Sequence, residues 1–547
     1  MLEVDNILEK CGDFSRQQRI MLVLCSLLNL LSAIHFLSNP IINYVPKYWC
    51  ADGLDPGAPP PKESSCKPLY NNSTNSDTCN KYNYELHMGF QSFVSEKNWI
   101  CDEGWKIRKG QAYFLAGRLI SSLFMGYLAD ILGRVPILIL TNVIATSGNF
   151  LTIFNMNVDL FCIFRFVCGF VINTNVTFIR ILIVEYMRPS LRTVCLNICS
   201  GFFICLGMAS TSWIVALIGN WRRFMLFDSL PIFVMPIFVI FVPESVQWLI
   251  SRKKYDKAIA SLKRVAKING RQIDDSVFEE FIEDCKFSQQ NTKKNPNLLH
   301  LLRMPRLRRI FLIMLLELTV ILFYRELIKH HIRHLNISPF VRSSSLITSI
   351  LPASLVVIIL QDRIGRKALA LTILLLIVLF ILLPSVLLLH AANPSTPLLL
   401  TIYVFGSVFF QLAFLSNIQY TLELVPTCVR SQAMGAIFFI AYVLYICKGY
   451  ILNLREVFVL LPEMILGVIA FMGACFCLLL PETMNRTLPC SLEDGEKLGN
   501  DEHWYTFGCT KKRTQPSLKT PWQHKMGNVE AGFRSLLYVA YVNEYIC

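Results

Sequence analysis

Charged side chains are scarce in this chain. They make up 16% of its 547 residues, whereas soluble domains average about 25%. Apolar residues make up 54%, and mean hydropathy is +0.47. Aqueous cores cannot hold so much apolar side chain, so the composition excludes a disordered, collagenous or disulfide-scaffold protein and argues against an ordinary soluble enzyme. A lipid bilayer is the natural solvent for the excess.

Motifs of common enzymes are also missing. The sequence has no GxxxxGK[ST], HExxH or GxSxG pattern, so ATP-driven transport and hydrolysis are not expected. We therefore predict a protein that is not an enzyme and that needs neither a cofactor nor a metal. The first ten residues carry three acidic side chains instead of a basic stretch, which predicts that no signal peptide is cleaved.

Twelve apolar runs reach the roughly 20 residues that a spanning helix needs. Helices are favoured over strands because hydrocarbon cannot satisfy an open backbone. The sequence thus predicts an all-α polytopic membrane protein. The predicted spans are 19–39, 111–129, 136–157, 160–186, 194–217, 224–242, 309–328, 340–361, 367–389, 397–422, 432–453 and 457–480.

Charge in the two long polar loops predicts the direction of the spans. Residues 252–309 hold fifteen Lys and Arg against seven Asp and Glu, whereas residues 40–110 hold eight of each. Positive loops stay in the cytoplasm, so we expect the basic loop 251–308 and both termini to be cytoplasmic and the loop 40–110 to be extracellular. The basic loop is expected to touch anionic lipid, not nucleic acid.

The outer loop also has the chemistry of an oxidising compartment. It carries overlapping N-glycosylation sequons at Asn71 and Asn72. It also holds an even set of cysteines, for which two disulfides in any of three pairings, or free thiols, are the alternatives. The four cysteines are Cys50, Cys66, Cys79 and Cys101.

Three short patterns occur twice in the same order, at offsets of 232, 238 and 238 residues. Each lies at a predicted cytoplasmic helix end. The repeat predicts two six-helix halves, 1–250 and 309–483, joined by the basic loop and followed by a tail, 484–547; this architecture is typical of secondary transporters. The patterns are Asp130-Ile131-Leu132-Gly133-Arg134 with Asp362-Arg363-Ile364-Gly365-Arg366, Glu185 and Arg192 with Glu423 and Arg430, and Pro243-Glu244-Ser245 with Pro481-Glu482-Thr483.

Taken together, these motifs resemble solute carrier family 22, the organic cation, anion and carnitine transporters of the major facilitator superfamily. Further segments that carry the resemblance cover almost the whole chain. They are Ile7 to Phe14, Asn98-Trp99-Ile100-Cys101, Gly126 to Asp130, Val246 to Ile250 and Glu423 to Arg430.

The resemblance implies that the repeated motifs latch the cytoplasmic side shut and separate when the halves rock. A topogenic charge cluster without a gating role is the alternative. The family usually has Arg after the first Asp, whereas this chain has Ile131, which predicts a weaker latch in the first half. The gating candidates are Gly126, Asp130, Gly133, Arg134, Glu185, Arg192, Asp362, Arg363, Gly365, Arg366, Glu423 and Arg430.

Ionisable and polar residues inside predicted spans form a second set. Such residues usually face a cavity or a partner, so we expect a basic, aromatic substrate cavity in which arginine binds a carboxylate or sulfate. Intraprotein salt bridges, such as Arg180 with Glu317, and snorkelling are the alternatives. The cavity candidates are Asn29, Arg118, Asn173, Thr177, Arg180, Glu317, Tyr324, Arg325, Tyr442, Tyr445 and Lys448; for His35, core packing is an equal alternative.

The sign of the substrate is harder to predict. Where the family places a charge that matches substrate sign, this chain has Tyr442, and a helix-eight lysine of some anion carriers falls on Ser354. We expect secondary-active or facilitative transport of small organic ions by alternating access, preferably anions or zwitterions, at the plasma membrane, with a coupling ion or counter-substrate as a further partner. The alternatives are an organic-cation or carnitine-type carrier and a non-transporting scaffold or receptor-like protein that kept the fold.

Overall fold

Twelve long helices dominate the computed structural model, which describes residues 4–12, 14–51, 66, 79, 81–86, 89–154, 157–289, 296–335, 346–390, 395–500, 502–503 and 506–508. Ten helices in these ranges are long and apolar enough to cross a membrane; α7 is more charged and α12 is shorter. The twelve are α1 (Arg16–Ile42), α2 (Trp105–Leu132), α3 (Arg134–Ile153), α4 (Val158–Tyr186), α5 (Pro189–Ile218), α6 (Trp221–Phe241), α7 (Pro305–Arg333), α8 (Leu346–Ile364), α9 (Arg366–His390), α10 (Thr396–Leu424), α11 (Thr427–Glu456) and α12 (Leu461–Cys477).

Each helix coincides with one predicted span, so the predicted fold class is confirmed. The bundle turns large apolar side chains outward, as a lipid-facing surface requires. Leu217 is 87% exposed and Phe233 is 73% exposed. Several helices are irregular: α4 is interrupted at Gly169, α5 contains a π-helical turn, Ile198–Phe202, α6 is interrupted between Asp228 and Pro231, and α11 is interrupted at Cys447.

Short elements gather at the two ends of the bundle. The end that carries the loop 40–110 is called the disulfide end, and the end that carries residues 243–304 is called the basic-loop end. The disulfide end holds antiparallel strands β1 (Lys47–Cys50) and β2 (Tyr82–Glu85), with Lys47 opposite Glu85, and the helices Phe93–Lys97 and Cys101–Gly104. The basic-loop end holds the helices Val4–Lys10, Val246–Ser251, Tyr255–Asn269, Asp275–Ser288, Leu298–Arg303 and Leu492–Lys497.

Two disulfides form at the disulfide end, as Cys50–Cys79 and Cys66–Cys101. The predicted disulfides are therefore confirmed, and the pairing that the sequence left open is the interleaved one. Both sequon residues, Asn71 and Asn72, lie outside the described residues. So does the tail beyond residue 508.

The two halves meet along two helix pairs, α2 with α11 and α5 with α8. Gly126 of α2 and Gly435 of α11 face each other with their Cα atoms close together. A Cβ on Gly126 would lie 2.6 Å from the Ser431 carbonyl oxygen, and one on Gly435 would lie 2.1 Å from the Ser122 carbonyl oxygen. Small residues thus let two backbones touch where the halves join.

An aromatic cluster seals the disulfide end of the first half. Phe93 stacks on Phe161 with ring centroids 4.7 Å apart and meets Trp221 edge-on at 5.0 Å. Glu96, one turn further, accepts hydrogen bonds from Trp221 Nε1 at 2.7 Å and from Arg222 Nη2 at 2.5 Å. The Arg222 hydrogen bond is the main reason why the pKa of Glu96 lies below its ordinary value.

We expect acid to loosen this cluster. Because its pKa is lowered, Glu96 stabilises the docked helix fully above the ordinary glutamate pKa of about 4.3, and this contribution is lost as pH falls through the folded-state value. Hydrogen–deuterium exchange of residues 93–97, corrected for intrinsic rates, should show falling protection below pH 4.5. In Glu96→Gln, protection should be lower at pH 6 and independent of pH; an unchanged pH profile in this variant would contradict the assignment.

Candidate functional site

Asp130 joins the two halves at the basic-loop end. It lies in the last turn of α2, and its carboxylate accepts backbone N–H groups from Ser431 at 3.4 Å and Gln432 at 2.9 Å. These amides belong to the first turn of the α-helical segment Arg430–Ile446 of α11, where helix N–H groups lack intrahelical acceptors and the dipole favours a negative charge. An acidic side chain of the first half therefore caps a helix of the second.

A buried ion-pair chain continues from this cap. Arg134 Nη1 lies 3.2 Å from Asp130, and Arg134 Nη2 lies 3.5 Å from Glu185 Oε1. The same glutamate oxygen is 2.8 Å from Nη1 of Arg430, in the second half. All four side chains are fully buried. Arg134 also donates to the Thr427 carbonyl at 2.8 Å. The two halves are therefore joined at three points: Asp130 with the α11 amides, Glu185 with Arg430, and Arg134 with Thr427.

The second copy of the motif crosses through a hydroxyl group. Arg366 of α9 lies 2.8 Å from Asp362 and 3.0 Å from Glu423, all within the second half. Thr193 of α5 donates to Asp362 at 2.8 Å and accepts from Gln419 at 2.8 Å. Thr193 of the first half thus donates to the aspartate of the second half, just as the α11 amides of the second half donate to Asp130 of the first.

The first copy of the motif is the more deeply buried one, although Ile131 predicts that its latch is the weaker. The Asp130 side chain is fully buried, whereas the Asp362 side chain is 30% exposed. Ile131 is 41% exposed, and Arg363 lies exposed in the last turn of α8. The position after the aspartate therefore lies at the surface of both copies.

Arg192 does not pair with Glu185, its companion in the repeat. It donates to the Val184 and Met187 carbonyls at 3.0 Å, which closes the end of α4, and it forms an ion pair with Asp5 at 2.9 Å. This contact ties the N-terminal helix Val4–Lys10 to the gating motifs.

The repeated Pro-Glu pattern caps a helix in each half. Glu244 accepts backbone N–H groups from Arg134 at 3.1 Å and Val135 at 3.2 Å, and Glu482 accepts those of Arg366 at 3.0 Å and Lys367 at 3.2 Å. Burial raises the pKa of Glu244, against the opposing effect of Arg134 and the amide donors.

Gly133 and Gly365 precede the capped helices with φ of +124° and +94°, which favour glycine. A Cβ on Gly133 would lie 2.2 Å from Glu244 Oε2, and one on Gly365 would lie 2.4 Å from Glu482 Oε2. Each glycine is thus required by the cap beside it.

A second cluster, called the interhalf cluster, lies between the halves on the disulfide-end side of the gating motifs. Its members come from α1, α2, α4, α7, α10 and α11. They are Phe36, Arg118, Asn173, Arg180, Arg325, Phe410, Phe414, Tyr442 and Tyr445.

Arg118 bridges the halves within this cluster. Its Nε donates to Asn173 Oδ1 at 2.8 Å, and its Nη2 donates to the Tyr442 hydroxyl at 2.5 Å. The guanidinium also lies 4.6 Å from the Tyr442 ring centroid and 5.6 Å from that of Phe36, within cation–π range. Arg118 is held by neutral and aromatic groups.

Arg180 has no such polar contacts. It is 4% exposed, its Nη1 has no hydrogen-bond partner, and it forms no ion pair with a described residue. Its guanidinium lies 5.8 Å from the ring centroid of Phe414. The salt bridge with Glu317 is not formed, since Glu317 instead accepts from Asn417 at 2.8 Å. A buried guanidinium without an anion is costly, so an anion bound at Arg180 would remove that cost.

Arg325 adds a third cation to the cluster. It lies 5.8 Å from the Phe410 ring centroid and 5.6 Å from that of Tyr445, and it is near enough to Arg118 for their charges to repel. Lys448 lies further out, where its Nζ is 3.4 Å from Glu326 Oε1 and donates to the Tyr445 hydroxyl at 3.2 Å. An anion between the arginines would relieve the repulsion.

Of the other cavity candidates, Asn29, Glu317 and Tyr324 contact residues outside the interhalf cluster, whereas Thr177 stands on the same α4 face as Asn173 and Arg180. Asn29 is fully buried between α1 and the π-helical turn, where it donates to the Cys199 carbonyl at 3.1 Å. Thr177 is buried on α4. Glu317 and Tyr324 face α10 inside the second half. His35 lies in a buried first-half network, 2.9 Å from Asp228.

Sequence reasoning missed several members of both sites. Thr193, Phe36, Phe410 and Phe414 were not candidates, because a threonine or phenylalanine inside an apolar span looks like ordinary packing. The spacing of Phe410 and Phe414 by four residues was an available signal, since it places both on one helix face.

The bundle of twelve helices in two halves is that of known membrane carriers. The structure of the proton:xylose symporter XylE bound to 6-bromo-6-deoxy-D-glucose superposes with a TM-score of 0.62, covering 87% of this chain and 99% of that one at 15% identity. That likeness shows the fold.

Sequence comparison shows the family. The model described as "Sugar (and other) transporter" matches residues 90–490, so the chain belongs to this family. Organic anion transporter 3 of Oryctolagus cuniculus is 28% identical over 410 residues, or 74% of each chain. Solute carrier family 22 member 2 of Rattus norvegicus is 27% identical over 410 residues, covering 74% of this chain and 72% of the relative. These matches confirm the resemblance to solute carrier family 22, whose members are transporters and not enzymes.

The buried ion pairs of Asp130, Arg134, Glu185 and Arg430 predict how the basic-loop end responds to mutation. Arg430→Gln leaves Glu185 with a single distant cation, and breaking a buried pair costs about 3–5 kcal/mol. We expect maleimide to label Cys428, which is buried beside Arg430, at least ten-fold faster in permeabilised cells. Arg309→Gln, on an exposed arginine of α7, is the matched control and should leave the rate unchanged. Equal rates in the two variants would show that the chain does not close this end.

Proposed function

We propose that this protein carries small organic anions across the plasma membrane by alternating access. Both termini and the basic loop face the cytoplasm, and the disulfide end faces outward, where Asn71 or Asn72 is glycosylated. This orientation follows from the excess of positive charge in residues 252–309 and from the disulfides at the opposite end.

Arg180 is the observation that carries the anion assignment. It is buried between the halves, and no acidic residue in the described part of the chain pairs with it. Arginine presents its donors as a planar fork that matches a carboxylate or sulfonate. The nearby phenylalanines offer apolar and aromatic surface, so the preferred substrate is an aromatic or otherwise partly apolar organic anion.

The relatives agree with this substrate class. Two of the proteins to which the chain is similar are called organic anion transporter 3, in Oryctolagus cuniculus and Sus scrofa. These names describe the relatives. For this chain, the proposal that the substrate is an organic anion rests on the buried guanidinium of Arg180.

Transport then depends on both sites. The bound anion neutralises positive charge from Arg180 of the first half and Arg325 of the second, and so draws the halves together on the disulfide-end side. Closure there strains the latch of Asp130 and Glu185 at the other end. When the latch opens, the anion is exposed to the cytoplasm. Paired halves of this kind alternate access between the two sides of the membrane by rocking about a site near its middle.

Uptake into cells that express the chain tests the proposal. The panel holds radiolabelled benzenesulfonate, tetraethylammonium and carnitine, each with and without sodium. We expect benzenesulfonate uptake, with at least a ten-fold loss in Arg180→Ala, because a charge-assisted hydrogen bond is worth about 1.5–3 kcal/mol. Arg180→Lys should lose nearly as much, since lysine lacks the planar fork.

Surface biotinylation of each variant provides the control for expression. Uptake of the cation alone would overturn the anion assignment. No uptake of any of the three, with wild-type protein at the cell surface, would favour a scaffold or receptor-like role.

A further inference from the structure

Three protonatable side chains follow one line along α7. Glu317, Tyr324 and His331 stand seven residues apart, and steps of seven return to nearly the same helix face. Successive members are therefore about 10.5 Å apart along the axis. All three are buried, with exposures of 1%, 1% and 7%. They face α10 and α12 inside the second half, not the interhalf cluster; this set is called the α7 file.

Glu317 is the deepest member of the file. Its Oε2 accepts a hydrogen bond from Asn417 of α10 at 2.8 Å, and the Cys477 thiol of α12 lies beside it. Its Oε1 has no hydrogen-bond partner, and no described cation forms an ion pair with it. An ionised carboxylate held this way inside an apolar bundle costs several kcal/mol. A proton on Glu317 would remove that cost.

His331 is the outermost member, near the disulfide end. Its Nε2 lies 3.1 Å from Glu463 Oε1 of α12, and its ring stacks on Tyr403 of α10 with centroids 5.3 Å apart. The other charged or titratable groups around the pair are His330, beside His331, and Arg455, near Glu463 and Tyr403. Glu463 Oε2 has no hydrogen-bond partner.

Tyr324 lies between these two ends. Its hydroxyl faces Gly406 of α10, where an added Cβ would approach it to 2.7 Å, and the hydroxyl makes no hydrogen bond. Each level of the file thus offers one buried oxygen with no partner. Such a series of unpaired acids, hydroxyl groups and imidazoles is typical of proton pathways in membranes.

The equivalent place in the first half holds a hydrogen-bonded network whose unpaired buried atoms are donors, Nε and Nη1 of Arg165. His35 of α1 lies 2.9 Å from Asp228 of α6, as His331 of α7 lies beside Glu463 of α12. There, however, Asn149 donates to Asp228 at 2.8 Å and accepts from Arg165 at 3.0 Å. We therefore interpret the first-half network as structural. At the corresponding place in the second half, Glu463 Oε2 has no hydrogen-bond partner.

We propose that the α7 file binds and conducts a proton that crosses the membrane together with the organic anion. This inference rests on the proposed function, to which it adds the coupling ion. One proton and one monovalent anion move in the same direction, so each turnover is electrically neutral.

The proton moves along the file from the disulfide end towards the basic-loop end. A proton from the outer solution binds at the His331–Glu463 pair, passes the Tyr324 hydroxyl through bridging water, and forms an O–H bond at Glu317 Oε1. When the basic-loop end opens and water reaches Glu317, that O–H bond breaks and the proton leaves to the cytoplasm. No oxidant or other reactant is required.

Proteoliposomes that contain the full-length protein test the inference with benzenesulfonate, which stays ionised at every pH used and cannot cross as a neutral acid. We expect an inward proton gradient, pH 6.0 outside and 7.5 inside, to raise initial uptake at least five-fold over pH 7.5 on both sides. A pH dye inside the vesicles should report acidification when the anion enters.

Glu317→Gln keeps the hydrogen bond to Asn417 but cannot exchange a proton. The gradient effect should fall below 1.5-fold in this variant, while exchange of labelled for unlabelled benzenesulfonate continues. Glu279→Gln, on an exposed glutamate of the basic loop, should keep both. Wild-type uptake that ignores the gradient without acidifying the lumen would overturn proton coupling, as would a full gradient effect in Glu317→Gln. Absence of any wild-type uptake would instead count against the proposed function.

Discussion

The closed basic-loop end depends on charges that one half supplies and the other half satisfies. Asp130 receives the first amides of α11, and Glu185 receives Arg430 across the same junction. In a bilayer, two helical halves gain little from the hydrophobic effect when they associate, because lipid is as apolar as their surfaces. Buried hydrogen bonds, ion pairs and close backbone contacts must do what a hydrophobic core does in water, and Gly126 facing Gly435 provides the backbone contact.

The same constraint separates the buried cations into two kinds. Arg134, Arg366 and Arg430 each have a carboxylate within the chain, and they hold helix ends together. Arg180 has aromatic surface and, among the described residues, no carboxylate, which is why we propose that it binds an anion. Buried carboxylates divide similarly, since Glu423 pairs with Arg366 while Glu317 has only an amide and a thiol beside it. What a buried charge lacks inside the protein indicates what it binds.

The sequence predicted the twelve helices, because each apolar run is long enough to cross hydrocarbon and nothing else in the chain is. It also predicted that Arg134 and Glu185 lie at the same end of the bundle, since both belong to the repeated patterns. It could not predict that Glu185 pairs with Arg430, because partners across a pseudo-symmetric junction are set by packing and not by spacing. For the same reason Thr193 and the phenylalanines of α10 escaped notice. Asn29, a cavity candidate on polarity, forms a buried hydrogen bond to the π-helical turn of α5.

The interleaved pairing at the disulfide end has a consequence for proteolysis. Cys50 is bonded to Cys79 and Cys66 to Cys101, so one cysteine of each bond lies within the loop that the other bond closes. A single cut anywhere between residues 50 and 101 therefore leaves two fragments that remain covalently joined, which two side-by-side loops would not guarantee. A nicked molecule would migrate at full length on a non-reducing gel and divide in two once reduced. One cleavage between these cysteines would therefore not separate α1 covalently from the rest of the bundle.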